Sequence, residues 1–161
     1  MTRKLQLGKD RFALIDEEDF ENLCHLKWGF DGRYAYAREK IKHLDGSEIQ
    51  KKIYLHRCIM KTPKGLDTDH INGDKLDNRR ENLRITTRSQ NNMNQRKTRG
   101  SSIYKGVCWF KLRSKWKAEI KLNGKRKHLG LFDTEYEAAM AYNEAAKERF
   151  SEFAKLNEIK D

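Results

Sequence analysis

Between Asp67 and Asn92 the chain runs DTDHINGDKLDNRRENLRITTRSQNN. Few large apolar residues fall in this span, and many groups in it can ligate a metal or move a proton. Hydrolysing a phosphodiester needs a base that activates water and a cation that offsets charge on the phosphate and on the departing oxygen. His70 suits the base, because an unperturbed imidazole titrates near ~6.5. Asp69 supplies a hard oxygen suited to Mg2+ or Mn2+. Asn91 can bring a second oxygen, and two protein ligands suffice for magnesium because it keeps several waters. The alternative is a polar loop with no chemistry.

Such residues need a strand, loop, strand and helix to position them. Leu66–His70 reads as a strand, and Ile71–Asn82 is too rich in Asn, Asp and Gly for a regular element. Leu83-Arg84-Ile85 gives a short second strand. A helix then starts in TTRSQNN, with Thr87 as N-cap and Gln90 three residues on, the spacing of a capping box. Neighbouring residues on a strand face opposite ways, so Asp69 and His70 share a site only where the strand ends or twists.

The residues before this span predict a small α+β lead-in. Phe12–Ile15 reads as a strand and Asp16–Leu26 as an acidic helix whose Phe20, Leu23 and Leu26 share a face. Acidic residues crowd its first turn, where the helix dipole favours them. Residues 33–43 read as a strand, Asp45-Gly46 as a hairpin turn, and KKIYLHRCIM as a second strand or the start of a short helix. Pro63 marks a turn. Beyond the polar span, residues 94–102 read as a basic linker. Three strand-like runs follow, YKGVCWF, WKAEIKL and RKHLGLF, with an Asn123-Gly124 hairpin between the last two. A helix over Thr134–Leu156 closes the pattern, opened by a Thr134/Glu137 capping box. Its stripe of Ala139, Tyr142, Ala146, Phe150 and Phe153 can pack on a sheet.

Composition bounds the function. With 161 residues, 37% charged and 37% hydrophobic, several small cores are expected in place of one large one. No run approaches the ~18 apolar residues of a membrane-spanning helix, and the first residues hold no apolar signal core. Cys24, Cys58 and Cys108 are odd in number and far apart, which argues against a disulfide framework and a cysteine-ligated zinc. The net charge is +11, and residues 94–128 alone hold 12 basic residues and one acidic. A concentrated basic stretch interleaved with aromatics is an electrostatic footprint for nucleic acid.

The polar span resembles the HNH nucleases, in particular their homing-endonuclease branch. The resemblance rests on Asp69-His70 at a strand end, Asn82 within DNRRENLR, and Asn91 on the helix. It implies a ββα-metal (His-Me finger) site. His70 would be the general base, Asp69 and Asn91 would bind one divalent metal, Mg2+ or Mn2+, and Asn82 would brace the loop and orient His70. Asn at the third position, where many relatives carry His, points toward the homing branch. His56, in YLHR, resembles a recurrent upstream position and either packs or touches phosphate. Arg79, Arg80 and Arg84 either contact phosphates, which guanidinium groups suit, or form a solvated face.

Residues 103–157 resemble the apetala (ethylene-response-factor) DNA-binding domain, on YKGV, the run from Trp116 to Phe150, and AKLN. That family lays a three-stranded sheet in the major groove. Lys105, Glu119, Lys121, Arg126 and His128 match its contact positions. Trp109, Lys111 and Arg113 fall near its first hairpin, although CWFKLRSK departs from the pattern. Trp116, Leu129, Phe132, Ala139 and Tyr142 read as core.

The expected architecture is therefore α+β: a nuclease domain over 1–93 with its motif core at 60–93, a linker over 94–102, and a three-stranded antiparallel sheet packed on one helix over 103–161. The expected protein is a site-specific, metal-dependent endonuclease acting on double-stranded DNA, cytoplasmic in a bacterial or phage-infected cell. One site per chain favours a monomer that nicks, while a dimer would cut both strands. The rival is a DNA-binding regulator with an inactive nuclease. An RNA-binding protein fits the charge but not the motifs.

Overall fold

The computed structural model describes residues 1–95, 100–122 and 124–159. It is a mixed α/β chain of small antiparallel sheets and few helices. Contacts divide it into two units, Met1–Thr87 and Arg88–Asp161. No described helix is long and apolar enough to cross a membrane.

The first unit opens with a hairpin of β1 (Thr2–Gln6) and β2 (Phe12–Asp16). Alternation buries Ala13 and Ile15 of β2 on one face. Helix α1 (Glu17–Leu23) is shorter than the pattern predicts. The Trp28 indole donates to the Leu23 carbonyl at 2.8 Å and takes up an acceptor at the helix end. A second sheet pairs β3 (Gly29–Phe30), β4 (Ala35–Lys42) and β5 (Glu48–Tyr54). The β4–β5 turn carries the expected Asp45-Gly46, where Asp45 Oδ1 accepts from the Ser47 backbone N–H and hydroxyl at 2.9 and 2.6 Å. KKIYLHRCIM is both of the things it resembles: β5 runs to Tyr54 and α2 (Leu55–Met60) follows at once. One core joins Leu5, Leu7, Ile15, Trp28, Ala35, Ala37, Leu55, Ile59 and Leu83.

Next come β6 (Asp67–His70), a single 3-10 turn over Arg80–Asn82, and β7 (Leu83–Thr86). β6 and β7 pair antiparallel with Asp69 opposite Arg84 and His70 opposite Leu83. The strand ends at His70, the condition under which neighbouring Asp69 and His70 can share a site.

The second unit begins with α3 (Arg88–Asn94). It continues with the sheet of β8 (Val107–Phe110), β9 (Lys115–Leu122) and β10 (Lys125–Phe132), ordered β10-β9-β8. Asn123 and residues 96–99 of the expected linker lie outside the described residues; Leu122 pairs with Lys125, the register of a two-residue link. Helix α4 (Glu135–Phe150) packs on all three strands. Its capping box is present: Thr134 Oγ1 accepts from Glu137 N at 3.1 Å and Glu137 Oε2 from Thr134 N at 3.1 Å. The helix stops at Phe150, so Phe153 lies in the following 3-10 turn instead of the helix stripe. Ala138, Ala139, Tyr142, Ala146 and Phe150 bury the sheet side in two small clusters. Gly106 has φ +77, and a Cβ there would stand 2.0 Å from the Tyr142 ring, so only glycine fits.

Candidate active site

The loop from Ile71 to Asn82 is polar, yet it is built as firmly as a core. Asn82 spans it. Its Oδ1 accepts from Asn72 N at 2.9 Å and its Nδ2 donates to Asp77 O at 2.7 Å. The backbone adds Ile71 N to Asn82 O at 2.9 Å and Gly73 N to His70 O at 3.0 Å. Leu14 of β2 joins as a short extra strand: its N–H donates to Leu76 O at 2.8 Å and its carbonyl accepts from Asn78 N at 2.7 Å. Each of these bonds satisfies a backbone group that a bare polar loop would leave to water.

His70 has no exposed surface and Asp69 is 2% exposed. Burial holds the His70 imidazole down to about 4, with the Lys75 charge adding to the effect, so it is neutral at physiological pH. The residue on its ring is Asn78, not Asn82: Asn78 Oδ1 lies 3.3 Å from His70 Nε2. An amide oxygen only accepts, so Nε2 carries the proton and Nδ1 carries the lone pair. Asn82 thus braces the loop, and a hydrogen-bond partner for the imidazole comes from Asn78.

A second imidazole stands beside the first. His56, on α2, is 6% exposed, and its ring centroid is 5.2 Å from that of His70. Tyr34 lies 4.8 Å from His56 and 6.1 Å from His70, and Tyr54 lies 5.8 Å from His56. Burial pushes His56 down to about 3. Of the two uses expected for His56, packing and touching phosphate, the structure displays the packing. Lys75 Nζ is 5.9 Å from the Tyr34 ring centroid and Arg33 Cζ is 5.0 Å from it. Tyr34, Tyr54, Lys75 and Asn78 are site residues that the sequence does not flag. Only Asn78 falls within the DNRRENLR run that the resemblance rests on.

Arg79, Arg80 and Arg84, expected either at phosphate or on a solvated face, each pair with carboxylates. Arg79 makes two 2.8 Å bonds to Asp77 and a 2.6 Å ion pair with Glu81. Arg80 reaches Asp19 at 2.6 and 2.9 Å and Glu18 at 3.0 Å. Arg84 donates to Asp69 Oδ2 at 3.0 and 3.2 Å, as the β6–β7 register requires.

The donor chemistry suits a hard divalent cation, since Asp69 presents a buried carboxylate next to His70. Among the described residues no three His, Cys, Asp or Glu side chains cluster as a metal site. Asn91 lies on α3, in the second unit.

In that second unit the sheet sorts the expected DNA contacts. Glu119 pairs with His128 and Lys121 with Arg126 across β9 and β10. Directly opposed residues share a face, and the neighbouring Ala118 and Ile120 are buried, so these four sit on the face away from α4. Lys117 pairs with Glu119 on that face at 3.1 Å. Lys111 and Arg113 lie in an exposed 3-10 turn after β8. Two expected contacts fall elsewhere. Trp109 opposes Trp116, the rings 5.2 Å apart at 69°, and Trp116 packs into the core on the helix side. Lys105 Nζ donates to the Asn92 carbonyl at 3.5 Å and to the Met93 carbonyl, which ties it to the end of α3; burial lowers it to about 8.

The family model described as HNH endonuclease matches residues 54–93. An uncharacterized HNH endonuclease of Acanthamoeba polyphaga mimivirus is 32% identical over 154 residues, 94% of this chain and 78% of the relative. The chain belongs to the HNH endonuclease family. Protein 3.8 of Escherichia phage T7 is 34% identical over 65 residues, 40% of this chain and 54% of that protein. No solved structure matches the chain.

Proposed function

We propose that the protein is a metal-dependent, homing-type DNA endonuclease that hydrolyses phosphodiesters with His70 as general base. The observation that carries this is His70 itself: a buried neutral imidazole at the end of a strand, its Nε2 held by Asn78. Nδ1 then takes the proton of a water whose oxygen bonds to phosphorus. The bond from phosphorus to the departing sugar oxygen breaks, and that oxygen takes a proton from solvent. Asn82 keeps the loop closed behind His70. Asp69 and Asn91 would hold one divalent metal, Mg2+ or Mn2+. Bound there, the cation supplies charge neutralisation at the phosphate and the leaving oxygen.

The basic sheet is proposed to lie in the DNA major groove, in the manner of an apetala-type domain, with Arg126, Lys121, Glu119 and His128 toward the duplex. Proposed boundaries remain 1–93, 94–102 and 103–161. One observation favours the rival, a DNA-binding regulator with an inactive nuclease: Asp69 already pairs with Arg84. The deciding experiment converts supercoiled plasmid carrying candidate sites, with Mg2+ and with EDTA, for wild type and His70→Ala. Metal-dependent cleavage that falls ~100-fold or more in the mutant, with DNA binding kept, fits a lost general base. Equal rates for mutant and wild type would refute the assignment.

A further inference from the structure

Beside the proposed metal, a side-chain cation would further offset charge building on the phosphate, and the arginines nearest the loop are already paired. The charges of Arg79, Arg80 and Arg84 are already offset by carboxylates in charge-assisted bonds of 2.6–3.2 Å. Lys75 differs. Its carbonyl accepts from Asn78 Nδ2 at 3.4 Å, but among the described residues its ammonium forms no hydrogen bond or ion pair, and the residue is half-buried. Its charge is nonetheless felt by both imidazoles, since it is one of the causes that hold His70 and His56 low. Asp69 is within electrostatic reach as well. The ammonium stands 5.9 Å from the centroid of the Tyr34 ring, which itself packs against His56 and His70, with no counter-ion bonded to it among the described residues. Burial lowers its proton affinity, as expected for a cation that is short of both water and a partner.

We infer that Lys75 is a catalytic residue whose ammonium binds the non-bridging oxygens of the scissile phosphate and offsets the charge that builds there during attack. This rests on the nuclease reading and deepens it. Lys75 transfers no proton; His70 takes the water proton, and the ammonium acts as a fixed charge. Arg33 stands 5.0 Å from the centroid of the same Tyr34 ring, and its charge also acts on Lys75. The half-buried, unpaired lysine is costly to the fold, so its removal leaves stability unchanged or raises it.

The test uses the full-length protein and its Lys75→Met and Lys75→Arg variants. Three quantities are read: single-turnover cleavage with Mg2+, duplex affinity against salt in EDTA, and melting temperature. For Lys75→Met, cleavage should fall about 100-fold. Affinity should fall less than about tenfold, with the salt slope reduced by about 0.9 for one lost phosphate contact. Melting should not drop, and Lys75→Arg should recover at least about tenfold of the lost rate, because it restores the charge. Cleavage by Lys75→Met within threefold of wild type overturns the inference, as does a rate loss that tracks a falling melting temperature. If wild type itself is inert, the nuclease reading fails, and the salt slope alone decides the phosphate contact: an unchanged slope overturns it.

Discussion

Nε2 of His70 stands 3.3 Å from Oδ1 of Asn78, and neither residue has exposed surface. This pairing fixes which imidazole nitrogen carries a proton, and so which one can accept one. In the proposed mechanism Asn78 is a positioning residue that acts through His70. Because burial and Lys75 hold His70 at about 4, its neutral form persists well below pH 6.5. Cleavage should stay level from pH 8 down to about 5 and decline as the base protonates. Asn78→Asp adds a negative charge that favours the imidazolium and raises the His70 pKa. Its acid limb should move up, so the rate relative to wild type is lower at pH 5.5 than at pH 8. A pH–rate profile of both proteins checks this, and superimposed limbs would exclude a role for Asn78 at the base.

Stability should also follow pH. His70 at about 4 and His56 at about 3 are both depressed below the ordinary histidine value of 6.5. Above 6.5 both are neutral in the folded and the unfolded chain. As pH falls below 6.5 the unfolded chain takes up protons that the folded protein refuses until about 4 and 3. Stability is thus fully present above 6.5 and is lost progressively down to about 3. Urea midpoints at pH 7.5, 6 and 5 should fall in that order, and less steeply in His56→Phe.

Asn82→Ala removes both bonds that span the loop and leaves Asp77 O and Asn72 N without those partners. The expected cost is about 1–3 kcal/mol in urea unfolding. Cleavage should fall with it, because the same loop carries Asn78 to His70. A stable but inactive variant would instead mean that Asn82 touches the reaction directly.

On the sheet, Arg126→Ala and Trp109→Ala should separate. Arg126 is exposed on the face away from α4, so its loss should weaken duplex binding and reduce the salt slope by about 0.9. Trp109 packs edge-on to Trp116. Its loss should lower the melting temperature and leave the salt slope unchanged. The opposite result would place the DNA on the helix side of the sheet.

Periodicity and turn chemistry made much of this fold legible in the sequence. β2, the β4–β5 turn, the strands on either side of the polar loop, and the Thr134 cap all lie where local signals place them. β1 was missed because TRKLQ has one buried residue, Leu5, and no alternation to read. Asp69, His70 and Asn82 could be singled out by type and order. Tyr34, Tyr54 and Lys75 could not, since aromatic and lysine residues are common and only the folded chain brings them to His70. The pairing of Arg80 was hidden for a related reason: its partners Asp19 and Glu18 are some sixty residues away, and spacing along the chain carries no sign of it.

The bonds from Leu14 to Leu76 and Asn78, with those from Arg80 to Asp16 and Asp19, weld the lead-in to the catalytic loop. The recognisable cassette at residues 54–93 is therefore not a portable part. A graft of those 40 residues into another protein would arrive with Leu76 O and Asn78 N unpaired and the Arg80 guanidinium stripped of its acids. Any recombination that moves this nuclease between genes has to carry the first twenty residues with it, or supply another strand to take the place of β2.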